Sequence, residues 1–151
     1  MRTSITTSTL LISIVLIILI HCTIISQNAR YTEVSTGLNS SMDYAYDRMF
    51  DYYSDEEFLN KYIVLDDSGF AKLVDGKLQF KTNVDTVKTN LIQHFCSVLQ
   101  ERLGSDGKIK VQLLYMDLQE GTFQVRVTEY FPYPLLNKVG TCVYEKTYTL
   151  Y

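Results

Sequence analysis

The sequence predicts an α+β protein: an N-terminal transmembrane helix and helical stalk, then amphipathic helices packed on a three-stranded antiparallel C-terminal sheet. Three observations carry this. An apolar run opens the chain, stripes of helical spacing fill its middle, and strict apolar–polar alternation closes it. The segments are residues 1–26 (signal anchor), 27–53 (stalk helix) and 54–151 (an extracytoplasmic α+β domain).

With 151 residues there is room for one core plus an attachment. All 17 acidic residues lie beyond Gln27, with every basic residue except Arg2. The two signs are mixed there and the balance is acidic, so no basic footprint for nucleic acid exists. The 12 Tyr and 7 Phe, without Trp, suit a small core or a contact surface, because a tyrosine ring buries while its hydroxyl stays hydrated.

Residues 5–25, ITTSTLLISIVLIILIHCTII, contain no acid and no permanently charged base. At about 1.5 Å per residue this helix is roughly 31 Å long, matching the ~30 Å hydrocarbon core of a bilayer. Ile5, Leu10, Leu11, Ile14, Val15, Ile18, Leu19 and Ile25 are the anchoring side chains, and the lipid bilayer is their partner. An uncleaved anchor is expected. A cleaved leader and lipidation at Cys22 are the alternatives, weakened by the length of the run and by His21 standing where a small residue is needed. Arg2 and the amino terminus set a slight bias toward a cytoplasmic N-terminus, so the protein is expected in the cell membrane, single-pass, with its C-terminal domain outside.

In the stalk, Leu38, Met42, Ala45 and Met49, followed by Tyr52 or Tyr53, form one stripe with 4-3-4 spacing. It either packs on the protein's own sheet or serves as an interaction stripe for neighbouring molecules. Gly37, about 1 kcal/mol less favourable than Ala in a helix, marks a kink or break. Ser54 and Glu57 read as a capping box before a short helix, and Asp75-Gly76 as a two-residue hairpin turn. A second long helix runs over residues 84–103, capped by Thr82 or Asn83 and stopped by Gly104. Its apolar face is Val84, Val87, Leu91, Phe95, Val98 and Leu99.

Three strands follow, over residues 108–116, 122–131 and 141–151. Pairing about the 117–121 turn sets Tyr115 opposite Phe123, Leu113 opposite Val125 and Val111 opposite Val127. Pro132 and Pro134 end the second strand. The third turns Cys142, Tyr144, Tyr148 and Leu150 to one side.

No metal-ligand spacing, nucleophile motif or phosphate loop is present, so no catalytic residue, metal site or cofactor is expected and the chain reads as non-enzymatic. Glu129 shares the phase of the apolar face. It either sits at the sheet's end, open to water, or is a buried structural carboxylate. A disulfide between Cys96 and Cys142 is one reading, and buried free thiols are the other.

The terminal pattern VRVTEYFPYP…KVGTCVYEKT, with Val125, Val127, Thr128, Glu129, Phe131, Tyr133, Pro134, Lys138, Gly140 and Thr141, resembles small single-anchor membrane proteins of Gram-positive bacteria. These are pilin-like or pseudopilin-like subunits of tight-adherence or type IV pilus-like systems. The resemblance implies a structural or assembly subunit whose anchor and stalk pack with related subunits or with copies of itself. The basic leader ending in Gly and the glutamate near the helix start, found in prepilins, are missing here, which implies a permanently anchored accessory subunit. A membrane-tethered binding or sensory domain, recognising a ligand or protein outside the cell, is the competing expectation.

Overall fold

A computed structural model describes residues 2–104, 107–134 and 136–150. It is α+β. One helix, α1 (Arg2–Ser54), runs unbroken for 53 residues. A short α2 (Glu56–Tyr62), a hairpin of β1 (Leu73–Val74) and β2 (Lys77–Leu78), and α3 (Val84–Leu103) follow. The chain then forms β3 (Lys108–Asp117), β4 (Thr122–Tyr133) and β5 (Leu136–Thr149).

The last three strands form an antiparallel sheet in the order β3-β4-β5. Its inner face is covered by two helices: α3, as the alternation required, and the second half of α1. Phe95 of α3 meets Phe123 of β4 edge to face, with ring centroids 5.3 Å apart. Tyr46 of α1 stacks on Tyr148 of β5 at 4.2 Å. Two helices on one sheet face give the two-layer solution expected for a domain of this size.

The ends of α3 follow its sequence. The Asp85 backbone N–H donates to the Asn83 side chain at 2.9 Å, and Gly104 closes the helix in the left-handed conformation at φ 49°. Asp75 and Gly76 both have positive φ, the geometry that a two-residue hairpin turn requires.

Several expectations change. Gly37 breaks nothing, because Val34 and Leu38 on either side of it are buried in the core, and that burial outweighs its propensity cost of about 1 kcal/mol. Ser54 closes α1 instead of capping α2, and Asp55 holds the cap position without a side-chain bond. Val111↔Val127 and Leu113↔Val125 pair as expected, but a bulge between Leu113 and Tyr115 puts Met116 opposite Phe123. Tyr115 therefore turns outward and Met116 enters the core.

Strand β4 passes through Pro132, which pairs with Val139, and β5 begins earlier than the alternation indicated. Pairing with β3 stops at Tyr130, so Pro132 lies past the end of that ladder, where its missing N–H breaks no β3–β4 bond. The expected strand end at Tyr151 lies outside the described residues.

Candidate functional site at the neck of the domain

Along α1 the environment switches in the turns after Ile25. Leu10, Leu11, Ile14, Val15, Ile18, Leu19 and Ile25 are all exposed; the side chain of Ile5 lies outside the described residues. Over this half the polar side chains turn inward on their own helix. Ser13 donates to the Thr9 carbonyl at 2.9 Å, Thr23 donates to that of Leu19 at 2.8 Å, and His21 Nδ1 lies 3.0 Å from that of Ile17. Such i–4 bonding satisfies polar atoms without water. The helix from Thr7 is long and apolar enough to cross a membrane.

From Val34 onward α1 belongs to the core. Leu38, Met42, Ala45 and Met49 are completely buried, and Tyr53 nearly so. The stripe read as a candidate interaction surface is thus internal packing against α3 and the sheet. It is closed to neighbours in this fold, because each residue is already covered by its own chain.

The neck, where the two halves meet, brings together a carboxylate, a thiol, an ion pair and several hydroxyls. Glu129 is only 2% exposed, so it does not open to water at the sheet's end. It lines a cavity of about 280 Å³ with Arg30, Glu33, Val34, Gly37, Leu103 and Gly104. Arg30 and Glu33 form an ion pair at 3.0 Å on the outer side of the same turn. Glu129 pairs in register with Cys142 on β5. The Ser35 hydroxyl and the Tyr144 hydroxyl are 2.7 Å apart, and the hydroxyls of Ser35 and Tyr31 both reach the Cys142 thiol.

Burial pushes the Cys142 thiol above its ordinary range and the Glu129 carboxylate adds to this, while the two hydroxyl donors oppose it. Burial alone raises Cys96. A raised thiol stays protonated and unreactive at neutral pH. Cys96 and Cys142 are both free, which corrects the disulfide reading. Cys96 borders a cavity with Ile109 and Val111 on the β3 side, whereas Cys142 lies under α1 on β5, across the sheet.

A third recess, of about 460 Å³, lies between α1 and α3, lined by Tyr44, Arg48, His94, Val98, Glu101 and Arg102. Two guanidinium groups, those of Arg48 and Arg102, sit 5.4 and 5.1 Å from the centroid of the same Tyr44 ring. His94 stacks on Tyr52 at 4.5 Å. Among the described residues no cluster of three or more His, Cys, Asp or Glu could hold a metal ion.

Sequence reasoning missed Tyr31, Arg30 and Ser35 as neck residues. The signal is there: Tyr31, Val34 and Leu38 continue the Met42 stripe at helical spacing, but the propensity cost at Gly37 obscures the continuity. Compared with protein-family models, with curated proteins and with solved structures, the chain matches none.

Proposed function

We propose that this chain is a non-enzymatic, membrane-anchored structural or assembly subunit of a pilus-like or secretion envelope machine, with its domain outside the cell. The observation that carries the reading is the single unbroken helix. Its first half exposes apolar side chains on all sides and its second half is the spine of the domain. Force or position imposed on the membrane segment would pass to the domain without a hinge. The terminal pattern through Glu129, Phe131 and Gly140 supports the same family of subunits.

Because the 38–49 stripe is internal, lateral packing falls to the exposed half of α1. In-cell photo-crosslinking from Ile14 tests this, with Met42 as the internal control. Self-adducts, or adducts to other single-anchor subunits, from Ile14 but not from Met42 are expected. Absence of protein adducts from Ile14 would leave a solitary tether and remove the assembly role.

The Arg48–Tyr44–Arg102 recess favours a second reading, a tethered domain that binds a ligand or protein there. A rise in melting temperature of the full chain with small carboxylates or phosphate, lost in Arg102→Ala, would support it.

A further inference from the structure

Contacts between α1 and β5 fix how far the sheet extends along the helix. Tyr31 contacts Cys142, Ser35 meets Tyr144 at 2.7 Å, Asp43 pairs with Lys146 at 2.7 Å, and Tyr46 donates to the Thr149 carbonyl. Strand and helix therefore run in the same direction, side by side. Their lengths agree: the helix from Tyr31 to Tyr46 rises about 22 Å and the strand from Cys142 to Thr149 about 23 Å.

The same scale extends toward the N-terminal half of α1. Going back from Cys142 to Val139 adds about 10 Å of strand, the rise of six or seven helix residues from Tyr31. On this scale Val139 falls at about the level of Ile24 and Ile25, the end of the apolar run. The β4–β5 hairpin does not stop there, since Tyr133 still pairs with Leu136 beyond it.

Two further observations fit this part of β5 placed alongside the helix. Thr23, Ser26, Gln27 and Arg30 are only partly exposed although their neighbours Ile24, Ile25, Asn28 and Ala29 are open. These four lie on the stripe that continues into Val34 and Leu38. Meanwhile Val139 is 69% exposed and Tyr31 45%, next to the cationic and exposed Lys138. An open valine, a tyrosine at the helix flank and a lysine form the combination suited to a membrane–water interface, where the ring and valine meet acyl chains and the ammonium meets phosphate.

We propose that β5 at Lys138 and Val139 is a second membrane contact: a foot that dips into the leaflet from which α1 emerges and seats the domain on the bilayer. Its occupant is the lipid surface. The inference rests on α1 being a membrane anchor. Anchor and foot together would hold the domain at two points and fix its tilt and rotation, which one helix alone cannot do.

The chain has no tryptophan, so single-Trp variants report without background. Ile18→Trp (anchor), Val139→Trp (foot) and Thr147→Trp (an exposed site on the far part of β5) would be placed in the full chain. Each would be reconstituted into phosphatidylcholine–phosphatidylglycerol vesicles whose acyl chains are brominated near the headgroup. The expected result is quenching at 18 and at 139, with a blue-shifted emission at 139, and none at 147. Quenching at 18 with position 139 as unquenched as 147 would overturn the foot while leaving the anchor intact. An unquenched Ile18→Trp would overturn the anchor and the foot with it.

Discussion

The ring of Phe131 occupies the space beside Gly140 that a side chain there would need: a β-carbon on Gly140 would lie 2.5 Å from Phe131 Cζ. The two residues face each other across β4 and β5. Phe131 is fully buried and meets Tyr133 edge to face at 5.2 Å. Glycine is required here by close approach, not by backbone conformation.

Gly140→Ala should therefore destabilise the domain by about 1–3 kcal/mol through overpacking. Phe131→Leu in the same chain should recover part of the loss, since the shorter side chain vacates the contested volume. Denaturant unfolding of the full chain in detergent, for both variants, checks this.

Met42 and Leu38 are core residues, and truncating either to alanine should cost about 2–5 kcal/mol. An interaction stripe would instead tolerate truncation with little change in stability, so the same unfolding experiment separates the two roles.

Glu129 is buried beside Cys142. Glu129→Ala leaves the buried space around the side chain empty and should lower stability by about 1–3 kcal/mol, well above the effect of a surface change. A melting temperature equal to that of the parent chain would show that the carboxylate has no structural role.

Burial and the adjacent Asp43 carboxylate, which accepts the Tyr148 hydroxyl hydrogen bond at 3.1 Å, hold the Tyr148 phenol well above the ordinary tyrosine range. The folded pKa lies above the unfolded value of about 10. The resulting stability is complete below that pH and is lost as pH rises past it. Tyr148→Phe should flatten the alkaline fall in denaturation midpoint above about pH 10, although its midpoint at neutral pH is lower.

Elements coded by local chemistry were legible in the sequence. The apolar run of α1, the Asn83 and Gly104 ends of α3, the Asp75-Gly76 turn and most of the β3–β4 register depend on neighbours close in the chain, and all are present. Of the neck, the sequence showed only that Glu129 has the phase of the core and that Cys142 and Tyr144 share one side of the last strand.

Tertiary packing decided the rest, because the deciding partners lie far along the chain. The α1 helix runs through Gly37 since α3 and the sheet bury the residues around it, and the Leu38–Met49 stripe is core for the same reason. Pro132 stays in β4 because the pairing with β3 stops at Tyr130, and Pro132 pairs with Val139 of β5. Glu129 is buried because the Arg30–Gly37 turn of α1 closes over that end of the sheet. Local propensities, each near 1 kcal/mol or less, set where helices and strands begin. Burial of whole apolar side chains, at about 1.5–3 kcal/mol apiece, set which of those local signals the fold obeyed.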